Sequence, residues 1–413
     1  MRRIAIVGAG QAGLQLALGL LAAGYRVTVV AARTPEQLRT GPVLSTQAMF
    51  GPALRIERAA GLNLWEAETP AVHSVRGTLA APPDGPQEVA VQALAFTAVM
   101  DEPGQSVDQR IKMAGWLELL AERGGRIEYR TLDGAGLRAL AERHELTIVA
   151  AGRGELAELF ERDAGRSPFD RPQRTLTCLY LHGVGVPDPA AEPRARMHAI
   201  PGAGELYLQP ALTGSGPCTI LLWEALPGGP LDCFADRPAP DEQLDRILGL
   251  LRTRLPWEYE LCAEAEPTDG LANLYGAVTP TVRHPVARLG EGCHVLGIAD
   301  TLVLNDPITG QGANNAARAA ALYQRAIIER GGAPFTPDWM RETFELCWQH
   351  ARHSVEFTTA MLTMPEHLQG VFAAAAQHEA VARRFANTYA DPADYAAWLA
   401  TPELTAGYLE AFR

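Results

Sequence analysis

An acid at the end of a buried-strand run, followed by a Gly/Pro turn and a helix start, can hold a polar, partly anionic ligand. Residues 295–318, VLGIADTLVLNDPITGQGANNAAR, read this way. Asp300 closes the apolar run 295–299 and can accept hydrogen bonds from ligand hydroxyls. Pro307 precedes the turn glycines Gly310 and Gly312, and Ala313 and Asn314 open the helix. A helix start offers unpaired N–H groups and the positive end of its dipole. The two glycines let a flat ring approach backbone more closely than a Cβ allows. A second constellation opens the chain: GAGQAG at residues 8–13, directly after the strand-like run 3–7 and before helical spacing over 14–23. In that context Gly8 makes the turn, Gly10 admits a pyrophosphate, and Gly13 allows close helix–strand packing. The predicted ligand is a dinucleotide. Ala150-Ala151-Gly152, after another buried run, is a third place where backbone can touch it.

One part of the dinucleotide pattern is missing. An acid is expected near the end of the second strand to hold the adenosine ribose, and the chain reads Val30-Ala31-Ala32-Arg33. Losing a charged acceptor costs about 1.5–3 kcal/mol, roughly ten- to a hundredfold in affinity. Either Arg33 selects a 2′-phosphate, or the dinucleotide is held loosely and exchanges.

Other chemistries find little support. No Ser/His/Asp or paired-carboxylate arrangement stands out, and His73, His284 and His294 read as structural. Lys112 is the only lysine, which disfavours Schiff-base catalysis. The six cysteines show no ligand spacing, which predicts reduced thiols in a cytoplasmic protein with no metal site. A net charge of −12 argues against nucleic acid or an anionic membrane as partner. Met1-Arg2-Arg3 and the apolar run after it imitate a signal peptide, but glycines at 8, 10, 13, 19 and 24 and the flanking strand runs fit a folded βαβ unit better.

The elements that must position these residues divide the 413-residue chain into lobes. Residues 1–50, 101–165 and 280–330 are expected to form a discontinuous Rossmann-like dinucleotide-binding domain. Residues 51–100 and 166–279 carry short β-like runs separated by Pro/Gly loops and read as an inserted antiparallel-sheet substrate domain, with 82–85 as the turn of a hairpin and a helix at 241–254. Residues 331–413 read as helical, including one helix over 367–389. The expected class is α/β with a helical C-terminus.

The order of motifs resembles the FAD-binding aromatic hydroxylase fold. Along nearly the whole length it resembles the two-component styrene and indole monooxygenases, through IVGAGQAGL, the LSTQAM loop, SVDQRIKMAGWLELLAERGG, SPFDRPQR and DPITGQGANNA. That family similarly lacks the ribose acid. The resemblance implies reduced, diffusible FAD made by a separate NADH-dependent flavin reductase, with O2 as co-substrate. It implies cofactor contacts from Gly8, Gly10, Ala12 and Gly13 at the pyrophosphate, from Arg33 and Leu44 nearby, and from Arg110 to a phosphate. Asp300 would take the ribitol hydroxyls, and Pro307, Gly310, Gly312, Ala313 and Asn314 would line the isoalloxazine. Ser45, Gln47 and Met49 would orient the substrate in the reaction, with Val72, Val75 and Ala95 lining its cavity. These six residues look like the indole type, which implies epoxidation of the indole C2=C3 bond to indoxyl and indigo. The alternatives are a styrene epoxidase or sulfoxidase of the same family, a single-component NAD(P)H-dependent hydroxylase, and a flavin carrier without turnover. The helical C-terminus is compatible with a homodimer face or a lid.

Overall fold

The structure, a computed structural model, describes residues 2–81, 89–186 and 194–412. The expected hairpin turn at 82–85 lies outside the described residues. Two large sheets organise the chain. The first runs in the order Val286–Gly290, Cys293–Gly297, Leu146–Val149, Arg3–Val7, Arg26–Ala31, Arg126–Tyr129, parallel except for its first strand. Its central strands are apolar on both faces because both are covered. Ile4 and Ile6 pack toward the helices Gln11–Ala22, Gln109–Glu122 and Gln311–Arg330. Ala5 and Val7 pack with Leu137 and Leu140 of helix Gly134–Ala141.

The second sheet runs Glu266–Pro267, Thr175–His182, Gly216–Ala225, Gly204–Thr213, Arg194–Ile200, Val72–Ala81, Val91–Gly104, with Asn273–Ala277 also on Thr175–His182. Its neighbours are antiparallel with one exception: Val72–Ala81 and Arg194–Ile200 run parallel. Helix Pro240–Arg254 sets Leu244, Ile247 and Leu251 into this sheet's core.

The C-terminal helices Pro337–Thr363, Glu366–Gln377 and Glu379–Ala390 pack Phe357, Phe372 and Phe385 into one cluster with Phe96 of the second sheet. Where the sequence reads as one helix over 367–389, extended backbone at His378 (φ −130°, ψ 110°) divides it in two. Among the described residues no helix is long and apolar enough to cross a membrane, and no cluster of His, Cys, Asp or Glu suits a metal ion. All six cysteines carry free thiols.

Candidate functional site

Three adjoining cavities lie where the two sheets and the Gln311–Arg330 helix meet. The first, about 580 Å³, sits at the carboxyl ends of the parallel strands. Gly8, Gly10, Ala12, Ala150, Ala151, Gly152, Asp300, Gly312 and Ala313 line it. Gly8 has φ +117°, and a Cβ there would sit 2.2 Å from the Ala150 carbonyl oxygen. A Cβ on Gly10 would meet nothing within 4 Å, so this glycine opens onto space a ligand can fill. Gly13 has the packing role: its Cβ would fall 2.1 Å from the Gly8 carbonyl oxygen, and the residue does not line the cavity. Helix Gln11–Ala22 starts at Gly10 with no side-chain cap, which leaves its first N–H groups to a ligand.

Asp300 borders both this cavity and a second one of about 180 Å³. Burial pushes its carboxyl group above the usual carboxylate range, with Arg153 pulling it back. Leu44, Ser45, Gln47, Asn305, Pro307, Gly310, Gly312 and Ala313 line the second cavity. Here the Gln311–Arg330 helix begins at Gly310 in left-handed backbone (φ 65°, ψ 22°), again without a side-chain cap. The Ser45 hydroxyl and both amide atoms of Gln47 and of Asn305 are buried without a partner among the described residues. Buried polar groups without partners are uncommon and mark places where something else completes them.

The third cavity, about 90 Å³, is almost entirely apolar. It shares Thr46, Ala48, Pro307 and Gly310 with the second. Val75, Phe96, Met197, Tyr207, Phe385 and Tyr389 form much of its wall.

Several expected site residues sit elsewhere. Arg110 is buried, and its guanidinium is committed to Asp108 (2.7 Å), Asp269 (2.9 Å), Thr213 (3.3 Å) and the Gly41 carbonyl (3.4 Å); it lines none of the three cavities. Arg33 is exposed, whereas Arg130 and Arg153 reach the first cavity. Met49 turns into a small core with Ala53, Leu54 and Ala317. Asn314 acts on the protein: its Nδ2 donates to the Ala48 (2.9 Å) and Gly310 (2.7 Å) carbonyls, and its Oδ1 accepts from Phe50 N–H (2.9 Å). That clamp fixes the 44–50 loop to the helix start. Of Val72, Val75 and Ala95, only Val75 lines the apolar cavity. Ala95 pairs with Thr78, one position out of phase with the Gly77–Phe96 and Val75–Ala98 pairs whose face meets the cavity. Val72 is buried at the strand end opposite Gly104.

Known proteins show which family the chain belongs to. Residues 152–260 match the family model described as the styrene monooxygenase A putative substrate binding domain. Styrene monooxygenase StyA of Pseudomonas fluorescens is 31% identical over 337 residues, covering 79% of this chain and 77% of that protein. Its counterpart from a Pseudomonas species is 31% identical over 333 residues with the same coverage. The chain belongs to the styrene monooxygenase family. It is an FAD-dependent monooxygenase. A second model, for coenzyme F420-dependent NADP oxidoreductases, matches residues 3–42 only, the first βαβ unit of the Rossmann sheet.

Solved structures show the same fold. The flavin-dependent brominase Bmp2 superposes with a TM-score of 0.68 at 14% identity, over 100% of this chain and 98% of its own. A flavoprotein/dehydrogenase from Cytophaga hutchinsonii gives 0.67 at 13%, over 95% and 93%. Halogenase PltM in complex with phloroglucinol and FAD gives 0.64 at 12%, over 90% and 79%.

The geometry fits this family's flavin. The open space at Gly10 and the uncapped helix start suit a pyrophosphate, and Asp300 stands at the junction where ribitol hydroxyls would pass. The second uncapped helix start and the unpaired groups of Gln47 and Asn305 suit a flat ring edged with donors and acceptors. Sequence reasoning missed the apolar wall. Phe385 and Tyr389 are spaced four apart on a helix, a pattern that reads equally well as ordinary core.

Proposed function

We propose that the protein is the oxygenase component of a two-component system. It takes up reduced FAD from a separate NADH-dependent flavin reductase and epoxidises the C2=C3 bond of indole or a related aromatic alkene. One oxygen atom of O2 enters the substrate, the other leaves as water, and NADH supplies the electron pair through the reductase. Bound reduced FAD supplies the site at which O2 is activated. The chain positions, shields and orients. Asp300 would accept hydrogen bonds from ribitol hydroxyls, and the N–H groups after Gly310 would stabilise negative charge on the ring. Phe96, Met197, Phe385 and Tyr389 keep water from the apolar cavity.

The observation that carries the reading is the junction itself. An apolar cavity shares Pro307 and Gly310 with the proposed flavin cavity, which Gln47 lines with an unpaired amide. The apolar lining suits a small aromatic substrate such as indole. The small apolar volume equally suits styrene, the substrate in the relatives' names.

The test is aerobic turnover of indole with FAD, NADH and an unrelated flavin reductase, against a reductase-free control with NADH or NADPH. Blue pigment only with the reductase supports the two-component indole reading. Turnover without it assigns the protein to the single-component class and returns Arg33 to nucleotide selection. Peroxide without product in both arms removes indole and leaves styrenes or sulfides to be tried.

A further inference from the structure

Glu224 and Asp306 are both fully buried, and their carboxyl groups face each other. Glu224 sits on strand Gly216–Ala225, two residues from Leu222, which borders the second and third cavities. Asp306 immediately precedes Pro307, which borders the same two. Asp306 Oδ1 accepts from the Ile308 N–H (3.1 Å), while its Oδ2 and both Glu224 oxygens find no donor.

The nearby cation Arg174 pulls both carboxyl groups down through space, but its hydrogen bonds go elsewhere. Glu205 stands directly across the ladder from Glu224 and takes the Arg174 fork through Nε (2.7 Å) and Nη2 (2.9 Å). The rest of that guanidinium goes to the Gln173 and Leu362 carbonyls. The other titratable groups facing the pair are the Tyr207 and Tyr389 phenols, both held neutral by burial. Two ionised carboxylates in contact, dry and with no cation hydrogen-bonded to either, would repel strongly. A proton between them turns the same contact into a strong hydrogen bond.

We propose that Glu224 and Asp306 share one proton at neutral pH, and that this proton ties the 305–310 turn to the second sheet and so shapes the flavin cavity. Burial pushes both carboxyl groups up. Glu224 is thus a positioning residue, acting through Asp306 on Pro307 and Gly310. The inference rests on the reading that Pro307 and Gly310 carry the flavin.

Three measurements on the whole chain test it. Infrared spectroscopy of the flavin-free protein should show a protonated-carboxyl band at neutral pH that Glu224→Gln removes. In that variant the amide donates to Asp306 in the proton's place, so hydrogen exchange at the Ile308 and Gly310 amides and the Kd for FAD should stay within about twofold of the parent. Glu224→Met fills the space without a donor; it should speed that exchange and raise the Kd by about tenfold or more. Asp306→Asn, whose amide can donate to a Glu224 carboxylate while its oxygen keeps the Ile308 bond, provides a second variant if Glu224→Met does not fold; it should match Glu224→Gln.

Absence of the band in the parent overturns the proposal. So does a Glu224→Met protein with unchanged exchange and FAD affinity, or an Asp306→Asn protein as impaired as a donor-free variant. Failure of the parent to bind FAD at all would remove the cofactor reading, while the infrared and exchange measurements would still decide the tie.

Discussion

The buried pair Lys112–Glu57 gives the most discriminating test of how this fold supports its cofactor cavity. Lys112 Nζ lies 2.6 Å from Glu57 Oε1, with the two side chains 2% and 0% exposed. Gln11, which lines the dinucleotide cavity, donates its Nε2 to the same Glu57 oxygen at 2.7 Å. Replacing Lys112 by Met keeps most of the volume but strands a buried carboxylate, which costs about 3–5 kcal/mol. Replacing Glu57 by Gln as well leaves neutral groups, at a net loss of about 1 kcal/mol for the hydrogen bond. The double variant should therefore recover roughly 2–4 kcal/mol of the single variant's loss. Urea unfolding of the three variants and the parent measures this through the midpoints at constant slope. FAD titration should show weaker binding in Lys112→Met, because Gln11 and the first turn of its helix lose their anchor. A single variant costing under about 1 kcal/mol, or a double variant costing the sum of both, would refute the reasoning. Lys112 is also the only lysine, so amine-directed labelling of the native chain should modify the N-terminus and spare this side chain.

Gly8→Ala drives a Cβ to 2.2 Å from a backbone oxygen at φ +117°, so it should destabilise the chain and abolish FAD binding; Gly10→Ala meets only open space and should leave the melting temperature unchanged while weakening FAD, as thermal melts and titrations would show. Asp300→Asn should weaken FAD by roughly ten- to a hundredfold. Because the folded Asp300 carboxyl is raised by burial, the ionised form it offers to hydroxyls is lost as pH falls through that raised value; parent FAD affinity should therefore decline on acidification, and the Asn variant should not follow it. Gln47→Leu should weaken FAD binding and lower kcat/KM for indole and styrene alike, in titrations and parallel product assays. Ala386→Phe, at the wall of the apolar cavity of about 90 Å³, should suppress turnover without changing the Kd for FAD.

The parts legible in the sequence are those whose physics is local. A strand run, three glycines and a helical run specify the βα turn by themselves, and Asp300, Pro307, Gly310 and Gly312 fall together because one short segment carries them. The residues that went elsewhere depend on distant partners. Nothing near Arg110 in sequence, Asp108 apart, announces that Gly41, Thr213 and Asp269 will occupy its guanidinium. Ala95 is apolar in a strand, but its face is set by which residue of Val72–Ala81 it opposes. Met49 and Gln47 are neighbours in one extended loop, and the Asn314 clamp together with the Met49–Gln105 backbone bonds decides which turns inward. Local pattern finds the backbone of such a site, and tertiary register chooses its side chains.

The same distinction bears on how firmly the cofactor is held. The strand Arg26–Ala31 ends in Ala32 and Arg33, and the cationic Arg130, bound to Glu128 at 2.8 Å, lines the cavity beside Ala32. Among the described residues the acids reaching this cavity are Asp300 and Glu155. On the proposed reading, affinity at the nucleotide end therefore rests on backbone N–H groups, the helix dipole and the Arg130 and Arg153 cations, whose contributions are modest where water competes. The far end differs: on the proposed reading, the buried amides of Gln47 and Asn305 become satisfied when the ring is in place. A site built this way discriminates at the ring more than at the nucleotide. On the proposed reading, reduced FAD should bind more tightly than oxidised FAD, while FMN should lose less affinity relative to FAD than in a flavoprotein with a ribose acid. Anaerobic titration of both redox states, with FAD and FMN in parallel, measures the two differences directly. Equal affinity for the two redox states, with FMN excluded, would place the recognition at the adenosine end and refute the account.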